Sequence, residues 1–162
     1  MCIEWRTRTR RLRTSPSGYE LRIRYEYTNF FKEVKNKIEL IYKDECYQII
    51  GACFEVYNKL GYGHKEKFYQ EAIEEILREK KVEFKRELRA KVKFGEKDLG
   101  IYCFDFLVFN KIVVEIKKRN YFSIKDINQL YAYLKAMGLK LGLLIHFTNT
   151  GVKYRRIINI NN

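Results

Sequence analysis

Only two histidines occur in the 162 residues, His64 and His146, 82 positions apart and without a serine or cysteine partner. Nucleophilic catalysis of the Ser/His or Cys/His kind therefore finds no constellation here. The four cysteines, Cys2, Cys46, Cys53 and Cys103, show no CxxC pairing, which excludes the usual zinc-site spacings. No signal-peptide pattern implies an oxidising compartment, so they are expected to be reduced, buried small hydrophobes. No apolar run approaches the roughly 18–20 residues that span a bilayer, and a soluble, cytoplasmic chain without a membrane partner is expected. Proline is reduced to Pro16, in the breaker TSPSG. Acidic residues are outnumbered, 20 against 33 basic ones, for a net charge of +13. That balance favours an anionic partner, nucleic acid before a membrane surface.

What is abundant is apolar and aromatic. A hydrophobic share of 46% supports a core for one domain, and the 13 Tyr and 11 Phe suit core edges or stacking on bases. Residues 1–38 stand apart as a basic N-terminal extension. RTRTRRLR at 6–13 carries five arginines, and the segment contributes +6 of the +13. A basic arm on phosphate backbones and a poorly ordered extension without a role are both compatible with this composition. LRIRYEY at 21–27 alternates like a short strand.

From Glu39 to residue 162 the pattern is that of one domain. Tyr42, Cys46, Ile49, Cys53, Val56 and Leu60 recur at helical spacing and predict a long helix closed by Gly61 and Gly63. Tyr69, Ala72, Ile73, Ile76 and Leu77 form the stripe of a second helix, with Glu66 in its first turn. Val82–Phe94 reads as a charged edge strand, and GEKD at 95–98 turns the chain. A third helix is predicted from Ser123 to Met137, with Ser123 and Asp126 resembling a capping box and Gly138 as its C-terminal cap. Its apolar face is expected to be Ile124, Ile127, Leu130, Tyr131 and Leu134. LGLLIHF at 141–147 reads as a strand covered on both faces, with His146 a hydrogen-bonded core residue, and VKYRRIINI makes a last strand. Helices and strands in this order predict an α/β fold, a mixed sheet flanked by helices.

The chemistry concentrates in IYCFDFLVFNKIVVEIK, residues 101–117. The stretch reads as two strands around a tight turn. Asp105 lies on the first, and Glu115 and Lys117 lie on the second, sharing a face because side chains alternate. Such charges among Ile, Val and Phe are costly unless paired or holding a metal. A two-residue loop would set Asp105 opposite Ile116. A three-residue loop, Phe109 to Lys111, sets it opposite Glu115, within reach of a shared divalent cation; the three-residue loop is expected. Two carboxylates suit Mg²⁺, with Mn²⁺ as an alternative, because hard cations take oxygen ligands and keep several waters. Lys117 then positions the attacking water and offsets developing charge. Glu66 is a candidate further ligand and Gln129 a candidate hydrogen-bond donor to water or phosphate, although alone they read as a helix-start residue and a solvent-exposed one. Lys153, Arg155 and Arg156 in KYRR read either as a solvated strand face or as contacts to a nucleic-acid backbone, and Tyr69 as a further weak candidate for such contact.

GHKEKFY at 63–69 has the form GxxExxY. Together with IIGACFEVYNKLG at 49–61, DFLV at 105–108, VEIK at 114–117, QLYAYLKAMGLKLGLLIHF at 129–147 and KYRRI at 153–157, it resembles the GxxExxY protein family of the PD-(D/E)XK nuclease superfamily. The resemblance covers residues 39–159. It implies a restriction-endonuclease-like fold with an α-β-β-β-α-β core and a divalent-metal site. Within that site Glu66 corresponds to the helix carboxylate, Asp105 to the strand aspartate, Glu115 and Lys117 to the ExK pair, and Gln129 to the glutamine of the following helix. Phe104 stands where the superfamily pattern has its nominal proline, and His146 where a small polar residue is usual. Residues 1–38 have no counterpart. The expected function is metal-dependent phosphodiester hydrolysis of nucleic acid, DNA before RNA, with a homodimer compatible with the fold. Two rivals stand beside it: a nuclease-fold protein that binds nucleic acid without cutting it alone, and an interaction module whose buried charges are a satisfied salt-bridge network.

Overall fold

The computed structural model describes residues 41–160. The expectations for residues 1–38, the basic extension and the strand at 21–27, lie outside these residues. Helix α1 (Lys43–Leu60) and helix α2 (Glu66–Glu79) come first, followed by strands β1 (Phe84–Phe94), β2 (Lys97–Val108) and β3 (Ile112–Lys118). Helix α3 (Ile124–Met137) then leads to β4 (Leu141–Thr148) and β5 (Gly151–Ile158). The five strands form one sheet in chain order. β3 and β4 pair in parallel through the α3 crossover, and the other neighbours are antiparallel. The predicted α/β order, with its α-β-β-β-α-β core and helices flanking a mixed sheet, is the order observed.

Each face of the sheet carries its own core. Cys46, Ile49 and Val56 of α1 and Tyr69, Ile73 and Leu77 of α2 pack on Phe106, Val114, Ile116, Leu143, Ile145 and Phe147. On the opposite face, Leu130, Tyr133 and Leu134 of α3 pack on Phe104, Leu107, Val113 and Leu144. Every residue of β4 is buried, as a strand covered on both faces requires. Each fully enclosed Leu or Ile stabilises the fold by about 1.5–3 kcal/mol relative to exposure.

Several details depart from expectation. Helix α3 is rotated: Ile124 is 77% exposed, whereas Tyr133, absent from the predicted stripe, is buried against Tyr102 and Phe104. The Ser123 hydroxyl accepts the Asp126 amide as predicted, but the Asp126 carboxylate pairs with Arg119 instead of returning to the helix start. Cys46 and Cys53 are buried thiols, but Cys103 is an exposed one. His146 is fully buried and its ring packs on Phe122 with centroids 4.1 Å apart. Burial pushes its pKa down, and the Arg119 backbone only partly offsets this.

The hairpin turn and one left-handed residue position the site. Val108 pairs with Ile112, leaving the three-residue loop, and Phe109 and Asn110 both adopt φ 54°. Farther along, β1 and β2 change faces together. Phe84 and Phe106 belong to the α1/α2 core, whereas Leu88, Ala90, Tyr102 and Phe104, of the same parity, belong to the α3 core. Glu87, at φ 51°, stands at the switch, between the pairs Arg86–Phe106 and Leu88–Phe104. One left-handed residue inverts the alternation of a strand, and Asp105 occupies the same level on the partner strand.

Candidate functional site

The β2–β3 ladder closes with Phe106–Val114. Beyond it the Asp105 carboxylate takes over the ladder's role, accepting the Ile116 amide at 2.6 Å with Oδ2 and the Gln70 side-chain amide at 2.9 Å with Oδ1. Groups from both helix layers meet at this point. Glu115 and Lys117 project from β3 on the face of Val113, the α3 side, while Glu66 and Gln70 approach from α2. Glu66 Oε2 accepts the Lys118 amide at 3.0 Å, so the first residue of α2 is tied to the end of β3. Lys117 Nζ lies 2.5 Å from Glu115 Oε1 and 3.7 Å from Glu66 Oε1.

The electrostatics follow from burial. The Glu115 side chain is 5% exposed. Desolvation first, and the neighbouring Asp105 charge second, push its pKa up to about 7 against the opposing pull of Lys117. Burial also raises Asp105, partly offset by the Ile116 amide and Lys117. For Lys117 burial acts downward, but Glu115, Glu66 and Asp105 together outweigh it and leave the pKa above its ordinary value. Lys117 is thus a permanent cation at neutral pH: it donates hydrogen bonds and does not collect a proton.

Gln129 donates to the Tyr133 hydroxyl. Burial first and the Glu115 charge second raise the Tyr133 pKa, so this pair backs the site from α3. Neither Gln70 nor Tyr133 belonged to the predicted set, although each lies one helical turn after a residue that did, Glu66 and Gln129, and i,i+4 neighbours share a face. Lys153 and Arg155 stand on the α3 face of the sheet, Lys153 paired across from His146 and His146 from Lys117. The Arg155 guanidinium lies 5.0 Å from the Phe122 ring. Two of the residues expected to contact nucleic acid are engaged within the fold. Arg156 points to the opposite face and donates to the Ile41 carbonyl. Tyr69 is fully buried, stacked on Phe147 with its hydroxyl donating to the Gly61 carbonyl.

No group of three His, Cys, Asp or Glu side chains gathers closely enough for a three-ligand metal centre among the described residues. The donors that do converge are two carboxylates, and Glu115 Oε2 is buried without a hydrogen-bond partner. An orphaned anionic oxygen beside a second carboxylate fits a hard divalent cation that keeps most of its waters.

The sequence matches the PD-(D/E)XK nuclease superfamily over residues 43–157, and the chain belongs to that superfamily. No curated protein shows significant similarity to it. Among solved structures it is similar to the crystal structure of SSO0001, at 20% identity and a TM-score of 0.46, over 57% of this chain and 49% of that one. It is also similar to an alkaline exonuclease (LHK-Exo) from Laribacter hongkongensis, at 12% identity and a TM-score of 0.42, over 54% and 53%. The chain spans about half the length of each.

Proposed function

We propose that the protein hydrolyses phosphodiester bonds of nucleic acid, DNA before RNA, with Mg²⁺ held by Asp105 and Glu115 and assisted by Glu66. The observation that carries this reading is the Glu115 carboxylate, buried beside Asp105 with one oxygen bonded to Lys117 and the other unpartnered. A cation there supplies positive charge for the scissile phosphate and makes bound water more acidic. Lys117, charged and 15% exposed, holds the attacking water by donation and stabilises negative charge as it develops on the phosphoryl oxygens. The water oxygen bonds to phosphorus, the ester oxygen leaves with the electron pair, and the water proton passes to solvent or product. Gln129, steadied by Tyr133, supports the water or phosphate. Gln70 fixes the Asp105 rotamer through its hydrogen bond.

Incubation with linear, circular, single-stranded and branched DNA and with RNA, in Mg²⁺, Mn²⁺ or EDTA, tests the reading. Metal-dependent cutting is expected, reduced on the order of 10²-fold or more in both Asp105→Ala and Lys117→Ala. Cutting that survives both substitutions, or none with either metal, would overturn catalysis and leave nucleic-acid binding, or an interaction module built on the Lys117–Glu115 pair, as the function.

A further inference from the structure

We infer that the substrate reaches the site as a single strand, its bases stacked on aromatic rings at the rim; this rests on the site proposed above but not on its catalytic competence. Among the described residues six aromatic side chains are exposed: Tyr47, Phe54, Tyr62, Phe68, Tyr121 and Tyr154. Two of them, Tyr62 and Tyr121, lie in the loops that lead into α2 at Glu66 and out of β3 after Lys118. Exposing large rings around a polar site gains nothing for the fold, since each leaves apolar area in water.

Tyr62 is tied to the site by a short chain of contacts. Glu66 accepts the Lys118 amide, the Lys118 ammonium donates to the Gly63 carbonyl at 2.9 Å, and the same ammonium lies 5.4 Å from the Tyr62 ring centre. That cation–π contact orders the ring while leaving it 41% exposed. Tyr121 follows the end of β3 and is 68% exposed. An exposed ring beside the Lys118 ammonium matches what an unpaired strand offers, a π-face at each base and a negative phosphate between bases. A duplex offers its phosphates but keeps its base faces stacked inside, so the rings would add little to its binding.

Fluorescence anisotropy in EDTA, where cutting is blocked, separates the two substrates. The probes are a labelled 20-nucleotide single strand and the duplex of the same sequence. Single-strand binding is expected to be at least about tenfold tighter. Tyr62→Ala and Tyr121→Ala should each weaken it by about 5- to 150-fold while leaving duplex binding within about twofold. Tyr62→Phe should retain wild-type binding, and Tyr47→Ala on α1 should leave it unchanged. Equal or tighter duplex binding, or alanine variants that lose nothing or lose equally on both probes, would overturn the inference. A single-strand preference without cutting in either Mg²⁺ or Mn²⁺ would refute the nuclease reading alone; cutting without the preference would refute this one alone.

Discussion

On β3 the Glu115 carboxylate is buried with Asp105 and Lys117 beside it, and burial first and the Asp105 charge second push its pKa up to about 7. The folded value lies above the ordinary 4.5, so the folded chain binds the proton more tightly than the unfolded one. Stability of the metal-free protein is therefore greatest below about pH 4.5 as far as this group is concerned, and is lost as pH rises through about 7. Glu115→Gln should remove that loss and raise Tm at pH 8 by several degrees, while leaving Tm at pH 5 little changed; thermal melts at the two pH values check this. Metal binding at the same carboxylate competes with the proton. Mg²⁺ or Mn²⁺ affinity should rise by up to about tenfold per unit between pH 5 and 7 and level off above it. Titration calorimetry in two buffers of different ionisation enthalpy reads the released proton directly.

At the scale of the elements, two close fits set where the charged residues lie. A Cβ on Gly142 would sit 2.9 Å from Leu130 Cγ and Cδ1, so the glycine lets α3 lie against β4. Gly142→Ala should destabilise the protein by about 1–3 kcal/mol, read as a lower urea midpoint, and Leu130→Ala in the same chain should recover part of the loss. Glu87 is the second. Its φ of 51° inverts the strand beside Asp105, a conformation that costs an L-residue about 1–2 kcal/mol. Glu87→Gly should be neutral or stabilising. Glu87→Val should destabilise by a similar 1–2 kcal/mol and, by disturbing the level at which Asp105 sits, should lower cutting as well. Element types and order were legible from periodicity, because each stripe has a single dominant period. The α3 face was not: Ile124 and Tyr131 fit the helical repeat as well as Tyr133 does. The contacts with Tyr102 and Phe104 that choose among them come from a strand some thirty residues away.

For the whole molecule, the positive charge matters more than any single cation. Nucleic-acid affinity in EDTA should fall steeply with salt, and removing a phosphate contact should reduce the slope of log K against log salt by about 0.7–0.9. Lys153→Ala and Arg155→Ala, on the sheet face that carries Glu115 and Lys117, should each show that change. Lys43→Ala, whose ammonium is 5.9 Å from the Tyr47 ring on α1, should not. Equal slopes in all three variants would place the strand elsewhere on the surface.

The sequence by itself determined the hairpin and which of its charged residues share a face. Side-chain alternation sets Glu115 and Lys117 on one face, and Asn110 tolerates the left-handed turn that a three-residue loop needs. Helical spacing likewise starts α2 at Glu66. The tertiary structure decided the rest, because those outcomes depend on neighbours far apart in the chain. Gln70 became a partner of Asp105, 35 residues away, and Tyr133 came to back Gln129 against Glu115. Tyr69, polar-tipped and one turn from Glu66, was drawn into the core because the Gly61 carbonyl could satisfy its hydroxyl while Phe147 stacked on its ring. Periodicity is local and fixes which residues share a face, whereas burial is collective and fixes which of those faces water still reaches.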